Sequence, residues 1–551
     1  MRLKITMDTP VLMQPIRRAF GNQRAAVAAL LTASLALNAC GGPDRPVGVV
    51  GHVEGFAGMV AADEPRAVLV GRDALSAGGS PADAAVAMAF TLAVTMPSQA
   101  GLGAGGSCLV YDHGKKKVEA LDFVAAPPSA LGPQTNRPTA APTLPRGMYA
   151  LQSKYGRLRW EQLLSPAEAI ARNGAPASRA FINQLNPFVG PLFDDPIARS
   201  TFGHGDGTPL AEGEMLQQLD LGATISRLRV KGAGEFYTGR GADDLVAASK
   251  AIGGSLTTDD LRAVSPKWLA PLEVKYGNDT AYFPPPPAAS GLVEAELWKL
   301  LAESGRYAEA SPSARPHLLA EAFARVYADR ASWMNPEGTS SQIPADMLAK
   351  SHLDGLWSGF AANAHQPQGG DAPSDVSAGT GFVVMDNEGS AVACTLSLNN
   401  GFGTGRILPN QGFLMAFAPG VKGRGPYSVG PMLAINTNSN EFRFAAAAGG
   451  NTASATAVTQ TALAALVGKQ PLKDAVGNTR LHTTNSPDQV VVEQGYGSVG
   501  DLQAAGHDVA EGQVAARVNA LQCGSGDPTV ARCAAVTDPR GAGLASVVGK
   551  D

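Results

Sequence analysis

Residues 377–398 read Ser-Ala-Gly-Thr-Gly-Phe-Val-Val-Met-Asp-Asn-Glu-Gly-Ser-Ala-Val-Ala-Cys-Thr-Leu-Ser-Leu, and this stretch predicts two paired β-strands. The strands would cover Gly381–Asp386 and Ala391–Leu398, because Asp386-Asn-Glu-Gly389 between them is typical of a hairpin turn. Three further strand-like runs follow along the chain: Gly412–Phe417, Met432–Ile435 and Phe442–Ala446. Short successive runs of this kind predict a mostly antiparallel sheet system in the second half of the chain.

Helices are predicted upstream of these strands. Ser80-Pro81-Ala82-Asp83 combines an N-cap serine, a proline at the first helical position and an acid in the first turn. A helix should therefore begin here and run to about Thr95, and residues 160–330 also have mostly helical patterns. Helices that precede antiparallel strands favour an α+β layered fold over a doubly wound sheet. Gly101–Gly106 matches the letters of the dinucleotide fingerprint, but with a helix before it and a strand after it, the reverse of that motif.

Composition excludes several classes of protein. The 551 residues include 64 Gly and 39 Pro, which does not suit a coiled coil. A charged fraction of 17% with 44% hydrophobic residues does not suit a disordered polyelectrolyte. The net charge of −4 provides no basic surface for nucleic acid. The eight His follow no metal-ligand spacing and no Cys-x-x-Cys occurs, so neither a metal site nor a cofactor is expected.

Residues 1–39 have the organisation of a secretory signal peptide, with basic residues before the apolar run Ala25–Ala36. The sequence Leu37-Asn-Ala-Cys40 resembles a bacterial lipobox, in which Cys40 would be lipidated and become the first residue of the mature protein. An ordinary signal peptide with an unmodified Cys40 is the alternative. If Cys40 is lipidated, residues 40–47 are expected to form a tether. The protein would then be exported and lipid-anchored on the periplasmic side of a bacterial membrane.

The four cysteines after the lipobox fall into two pairs by their surroundings. Cys523 and Cys533 flank a segment that contains Gly-Ser-Gly-Asp-Pro, so in an oxidising compartment they are expected to form a disulfide. Cys108 and Cys394 lie in apolar strand-like runs, where they are expected to be buried as small hydrophobic residues.

A set of motifs, in this order along the chain, resembles the gamma-glutamyltranspeptidase family of N-terminal-nucleophile hydrolases. The motifs are Gly78–Val86 with Gly101–Gly106, Asp386–Val392, Leu398–Gly405, Gly449-Gly450, Arg480-Leu-His482 and Asp538–Gly541. The resemblance covers about residues 48–546 and implies a four-layer αββα sandwich. It also implies a chain that cuts itself into a large fragment, residues 48–379, and a small fragment, residues 380–551, which remain partners.

The resemblance assigns a nucleophile and its surroundings. Thr380 is the candidate nucleophile, and Gly379 would present an unhindered carbonyl for self-cleavage. Other family positions match an assisting hydroxyl at Ser397, a substrate-holding amide at Asn399, a carboxylate-binding Ser428 and the oxyanion-hole backbone donors Gly449 and Gly450. Counted without gaps from Asp386, the family nucleophile falls on Gly379. Either a one-residue shift lets Thr380 serve, or the nucleophile is missing.

The charges with which the family holds glutamate have no counterpart here. The arginine for the α-carboxylate matches Val124, and the residues for the α-amino group fall in the apolar segment Leu414–Pro419. Arg406 could supply a different cation, and a solvated surface arginine is the alternative. The expected substrate is therefore a small-molecule or peptide amide, either γ-glutamyl or a related acyl compound.

Two hypotheses of different classes follow. The first is an exported enzyme that hydrolyses an amide or transfers its acyl group, which the retained Ser397, Asn399 and Gly449-Gly450 favour. The second is a catalytically silent, unprocessed lipoprotein that uses the same fold for binding or envelope structure. The glycine at 379 and the valine at 124 favour this second hypothesis.

Overall fold

The computed structural model describes residues 53, 55–131, 135–335, 345–369, 379–421 and 424–549. The predicted signal peptide, Cys40 and the tether lie outside the described residues. Within the described ranges, no helix combines the length and the apolar character that crossing a membrane requires.

The helices of the described residues concentrate in two regions, before β9 and after β12. In chain order they are α1 (Pro65–Ser76), α2 (Pro81–Thr95), α3 (Leu144–Tyr155), α4 (Trp160–Asn173), α5 (Arg179–Leu185), α6 (Val189–Leu192), α7 (Pro196–Phe202), α8 (Leu219–Lys231), α9 (Gly239–Ala251), α10 (Thr258–Ala263), α11 (Ala289–Trp298), α12 (Arg306–Glu309), α13 (Arg315–Asp329), α14 (Lys350–Leu356), α15 (Ala453–Ala462), α16 (Leu472–Gly477) and α17 (Val499–Ala504).

The strands are distributed along the whole described chain. They are β1 (Gly58–Ala62), β2 (Gly105–Asp112), β3 (Lys117–Phe123), β4 (Ala175–Pro176), β5 (Met215–Leu216), β6 (Lys267–Leu269), β7 (Leu272–Tyr276), β8 (Asp279–Phe283), β9 (Gly379–Asp386), β10 (Ala391–Ser397), β11 (Met432–Asn436), β12 (Glu441–Gly450), β13 (Leu481–Asn485), β14 (Asp488–Val492), β15 (Val509–Glu511), β16 (Ala516–Cys523), β17 (Cys533–Val536) and β18 (Leu544–Val548).

Two large antiparallel sheets form the centre of the fold. The first has seven strands in the order β18-β1-β9-β10-β2-β3-β6, and the second has six in the order β17-β16-β12-β11-β8-β7. Alternate residues of β9 face opposite sides of the first sheet. Val383 and Met385 pack against the second sheet, where Leu433 and Ala447 belong to the same apolar cluster.

Helices cover the outer face of each sheet. Phe382 and Val384 of β9 pack outward in one cluster with Phe90 of α2. On the other side, Phe444 of β12 packs with Phe323 of α13 and with apolar residues of α11 and α15. The layers are therefore helix, sheet, sheet and helix, and the predicted α+β fold with four αββα layers is confirmed.

The two local predictions nearest the site are confirmed. The helix predicted from Ser80 begins at Pro81 and ends at Thr95, and Ser80 and Asp83 form a reciprocal capping box. All of its residues are buried, which its many alanines allow because small side chains let the helix pack closely on the sheet. The predicted hairpin joins β9 to β10, with Met385 paired to Ala391.

The strand predicted at Gly412–Phe417 is wrong. In the structure Leu414, Met415 and Phe417 make only isolated β-bridges, with Ile407, Gly103 and Thr139 respectively. These partners belong to three separate loops, so the run has no continuous neighbouring strand with which to form a ladder. Its apolar character reflects burial between the loops and not membership of a sheet.

The prediction for Cys108 and Cys394 needs a correction. Both are fully buried, as expected, but they form a disulfide bond with each other. They lie directly opposite on the adjacent strands β2 and β10, which brings their Cα atoms to 4.1 Å. This pairing connects residues that are 286 positions apart, so nothing in the local sequence could indicate it. Cys523 and Cys533 also form a disulfide.

Candidate active site

Thr380 is the second residue of β9 and is completely buried. Its hydroxyl donates a hydrogen bond to Oδ2 of Asp63, at 2.9 Å. Asp63 immediately follows β1, which pairs with β9 so that Ala62 lies opposite Phe382. The pairing of these two strands therefore brings a carboxylate to the candidate nucleophile, a partner that can accept the hydroxyl proton.

Two residues of β16 hold Asp63 in place. Asn519 Nδ2 donates to Asp63 Oδ1 at 2.8 Å and to the carbonyl of Gly381 at 3.0 Å. Arg517 Nε lies 3.5 Å from Asp63 Oδ2. Burial raises the pKa of Asp63 above its usual value, and the charge of Arg517 and the hydrogen bonds from Asn519 and Thr380 oppose that rise.

The peptide bond between Gly379 and Thr380 is closely surrounded. Arg517 reaches its carbonyl, with the guanidinium Nη2 3.5 Å from the oxygen of Gly379. On another side lies Gly449, where a Cβ atom would be 2.5 Å from the same oxygen and 2.8 Å from Thr380 Cα. Residue 449 must therefore be glycine for β12 to approach this peptide bond so closely.

Gly450 has a similar role one residue further along β12. Its backbone φ of 138° lies in a region that residues with a side chain rarely adopt. A Cβ at this position would also collide with the carbonyl of Ala515. The pair Gly449-Gly450 thus brings β12 close both to β9 and to the segment that enters β16.

Two serines lie on the face of β9 toward which Gly379 would direct a side chain. Ser397 is directly opposite Gly379 in the β9–β10 ladder, and a Cβ on Gly379 would collide with Ser428 Oγ. That oxygen is buried and has no hydrogen-bond partner among the residues that the structure describes. Because neighbouring residues on a strand point to opposite faces, the Thr380 hydroxyl faces Asp63 while Ser397 and Ser428 surround Gly379.

Asn399 and Arg406 lie on the loop that follows β10. Asn399 donates through its side chain to the carbonyl of Phe417, at 3.0 Å, and its backbone N–H donates to Ser397 Oγ at 2.9 Å. Arg406 donates to the carbonyl of Ile252 at 3.3 Å. These two side chains therefore anchor the loop in the structure, instead of contacting Thr380 or Asp63.

A cleft of about 1340 Å³ opens onto Asp63 and Arg517. Its wall also carries Glu493, Glu511 and Arg540, so charges of both signs line it. The cleft gives a substrate-sized ligand access to Asp63, the carboxylate to which the Thr380 hydroxyl donates its hydrogen bond.

The sequence pointed to Thr380 but missed Asp63, Arg517 and Asn519. The only local signal for Asp63 was an acid directly after the apolar run of β1. Arg517 and Asn519 alternate with buried apolar residues in β16, as side chains of a strand facing a polar site would.

Comparison with known proteins identifies the family. The family model described as gamma-glutamyltranspeptidase matches residues 67–418 and 419–548. The chain belongs to this family. A gamma-glutamyltranspeptidase relative, the glutathione hydrolase proenzyme of Pseudomonas aeruginosa, is 31% identical over 65% of this chain and 67% of its own length. The glutathione hydrolase proenzyme of Escherichia coli K12 is 28% identical over 71% and 72%.

Two solved structures share the fold of this chain. Cephalosporin acylase from Bacillus halodurans superimposes with a TM-score of 0.76 over 92% of this chain and 99% of its own, at 23% identity. The gamma-glutamyltranspeptidase of Helicobacter pylori has a TM-score of 0.50 over 57% of this chain and 95% of its own, at 25% identity. Asp63 precedes the ranges that the family model matches, so the contact with Thr380 rests on the structure of this chain alone.

Proposed function

We propose that this protein is an exported amide hydrolase or acyltransferase that activates itself by cleaving the bond between Gly379 and Thr380. The observation that carries the proposal is the hydrogen bond from the buried Thr380 hydroxyl to Asp63, next to the Gly379 carbonyl that Arg517 reaches. A nucleophile, a base and a cation for the developing oxyanion thus surround one peptide bond.

The processing reaction uses these groups in sequence. Thr380 Oγ1 attacks the carbonyl carbon of Gly379 while Asp63 takes the hydroxyl proton, and the Arg517 guanidinium stabilises the negative oxygen. The C–N bond then breaks, the proton passes to the nitrogen of Thr380, and an ester forms between Gly379 and Thr380. One water molecule hydrolyses the ester, which leaves a carboxylate on Gly379 and a free amine and hydroxyl on Thr380.

Turnover follows the same chemistry on an external amide. The α-amino group of Thr380 accepts the hydroxyl proton, Oγ1 attacks the substrate carbonyl, and the amine product leaves with that proton. Water or a second amine then takes the acyl group from the threonine. In this proposal the backbone N–H groups of Gly449 and Gly450 stabilise the oxyanion, and Ser397 and Ser428 act on the bound acyl group. Asn399 joins them by exchanging its hydrogen bond with the Phe417 carbonyl for one with the substrate. Departure of the Gly379 end would uncover Ser428, whose hydroxyl is unpartnered in the described structure.

The proposed substrate is a small-molecule or peptide amide with an acyl group other than a standard γ-glutamyl group. By the resemblance to the family, Val124 and the buried apolar residues Leu414–Ala418 occupy the positions of the charges that would hold glutamate. Arg406 is the proposed replacement cation on the loop after β10.

A chromogenic anilide assay tests this proposal. The purified protein should release the chromophore from at least one short-chain acyl anilide faster than from γ-glutamyl-p-nitroanilide, and Thr380→Ala should release it from neither. Brisk γ-glutamyl turnover at a low KM would contradict the inference that Val124 removes the family's glutamate pocket. If no anilide were turned over, the proposed enzymatic activity would be refuted.

One observation favours the second candidate function, an unprocessed binding lipoprotein. Gly379, and not Thr380, lies opposite Ser397 in the ladder, at the position where ungapped counting places the family nucleophile. This alternative predicts a single uncut chain and no turnover, so the anilide assay and the cleavage state distinguish the two.

Export and lipid anchoring at Cys40 remain part of the proposal. The two disulfides suit an oxidising compartment such as the periplasm. Growth with a labelled lipid precursor should label the wild-type protein and not a Cys40→Ala variant; absence of label in the wild type would remove the anchor.

A further inference from the structure

A second polar cluster lies away from the active site, beside α13. His317 and Glu321 are four residues apart on this helix and so share one face. His507, from the segment after α17, places Nε2 2.8 Å from His317 Nδ1 and 3.9 Å from the nearer Glu321 oxygen. His365 places Nδ1 2.7 Å from the same Glu321 oxygen. Two imidazoles and one carboxylate therefore direct atoms toward a common point, and His365 holds the carboxylate from outside.

We propose that His317, Glu321 and His507 form a binding site for a divalent metal ion of the zinc type, in which His365 positions Glu321. Ligand atoms at about 2.0–2.1 Å from a tetrahedral zinc lie roughly 3.3 Å from one another. The contacts of His507 Nε2 with His317 and with Glu321, 2.8 and 3.9 Å, bracket that separation. The donor atoms of His317, Glu321 and His507 all lie within 4.8 Å of one another.

The outer ring nitrogens of the ligand His317 and of the positioning residue His365 are both held by hydrogen bonds. His317 Nε2 donates to the carbonyl of Ala361 at 2.8 Å, and His365 Nε2 lies 2.9 Å from Asp488 Oδ2. A histidine that binds a metal typically gives its second ring N–H to a carbonyl or a carboxylate, which fixes the ring and points the other nitrogen inward. In His317 the inward nitrogen is Nδ1, and the Nδ1 of His365 faces Glu321.

Burial makes the cluster unlike a surface group of polar residues. Glu321 is fully buried, and His317 and His507 are 4% and 6% exposed. Nδ1 of His507 is buried and has no hydrogen-bond partner in the part of the chain that the structure describes. Arg325 approaches the outer Glu321 oxygen at 3.2 Å, and the inner oxygen accepts from the backbone N–H of Gln366 at 3.2 Å while it faces the cluster.

Zinc suits this ligand set, since imidazole and carboxylate are among its preferred ligands and two histidines with one glutamate leave a fourth position for a further ligand. Binding would move the proton of His507 from Nε2 to Nδ1, which frees Nε2 of His507 and Nδ1 of His317 for the metal. The metal would join α13 to the segment that leads into β15. This site is independent of the proposed reaction at Thr380.

The test is zinc binding to the full-length protein. The protein is stripped with a chelator, loaded with zinc sulfate, freed of excess metal and measured by elemental mass spectrometry. We expect about one zinc per chain and a rise in Tm on loading. His317→Ala and the size-matched Glu321→Gln should each lose at least tenfold in zinc affinity. His204→Ala should not, because His204 is an exposed histidine paired with Glu214.

Cobalt loading gives a readout that folding defects do not imitate. Tetrahedral Co²⁺ should produce visible absorption bands in the wild type and in His204→Ala, and the Glu321→Gln variant should shift or lose them while its circular dichroism stays unchanged. Wild-type zinc content no higher than that of His317→Ala, or equal loss in His204→Ala, would overturn the proposal.

Discussion

Thr380 and Asp63 are 317 residues apart in the chain, and they meet because β1 and β9 are neighbours in one sheet. At this scale the site consists of a hydroxyl, a buried carboxylate and a guanidinium around one peptide bond. The desolvation that raises the pKa of Asp63 also makes its carboxylate a stronger base than an exposed aspartate.

Asp63→Asn should leave the chain uncut. The amide keeps the size of the side chain and can still accept the Thr380 hydrogen bond, but it cannot take the proton. Loss of a general base typically costs about 10²–10⁴-fold in rate. The fraction of cell-free translated chain that is cut, followed over time on reducing gels, measures this. Thr380→Ser should still be cut, whereas cleavage of Asp63→Asn at the wild-type rate would remove Asp63 from the reaction.

Processing should also depend on pH through Asp63. The base must be ionised, and burial raises its pKa, so the cleavage rate should fall as the pH drops through that raised value. Cleavage rates of the wild-type chain, measured in buffers of decreasing, mildly acidic pH, should show a single fall of this kind. A rate that is constant down to the pKa of an exposed aspartate would contradict the assigned base.

At the residue scale the sequence indicated one half of this arrangement. Thr380 could be identified from its motif, because the strand and the hairpin that follow it are local sequence patterns. Asp63, Arg517 and Asn519 come from the two ends of the chain, and only the folded sheets bring them together.

At the scale of the elements, the approach of β12 to β9 depends on Gly449. Gly449→Ala would place its Cβ 2.6 Å from Asp63 Oδ2 as well as 2.5 Å from the Gly379 oxygen. We expect a loss of about 1–3 kcal/mol in unfolding free energy and slower cleavage. Gly355→Ala is the control, because its Cβ would contact nothing within 4 Å. Equal behaviour of the two variants in urea unfolding would show that β12 tolerates a side chain there.

In the β9–β10 hairpin, the buried carboxyl group of Asp386 makes the stability of the folded protein depend on pH. Oδ1 accepts from the N–H groups of Glu388 and Ser390, but Oδ2 is buried without a hydrogen bond among the described residues. Burial, with the nearby Glu388, raises the pKa of Asp386 from 3.8 to about 6. The folded state therefore retains a proton that the unfolded chain releases, and its stability falls as the pH rises through this window.

Asp386→Asn should remove that dependence. The amide keeps the Oδ1 acceptor and carries no charge, so above about pH 6 the variant should gain up to about 3 kcal/mol over the wild type. Urea unfolding at about pH 4 and about pH 7 measures the difference. The exposed Asp243→Asn serves as the control. A gain that is the same at both pH values would contradict the assignment to Asp386.

Elements were predicted well where their signals were local. The capping residues located α2, and the turn residues located the hairpin. The strand predicted at 412–417 was wrong because a short continuous apolar run is typical of a strand even when separate loops supply its partners.

At the scale of the whole molecule, one disulfide crosses the proposed cleavage point. Cys108 would lie in the large fragment and Cys394 in the small one, whereas Cys523 and Cys533 both lie in the small one. The cut protein should therefore run as one species without reductant and as two with it. Cys394→Ala should separate without reductant, and Cys523→Ala should not. Two bands from the unreduced wild type would show that the fragments are not linked in this way.

Neither this link nor the histidine cluster could be derived from the sequence. The cysteines are 286 residues apart and His317 and His507 are 190 residues apart, so no spacing rule connects them. The α+β class was predicted from the order of helices and strands along the chain, and the four αββα layers were implied by the family resemblance.

Self-cleavage before Thr380 is the central claim, and the intact mass of the reduced protein tests it most directly. The wild type should give two chains, with the smaller one spanning residues 380–551 and showing threonine at its N-terminus, while Thr380→Ala should give one. A wild-type chain that stays whole after long incubation, or that is cut at another bond, would contradict the account.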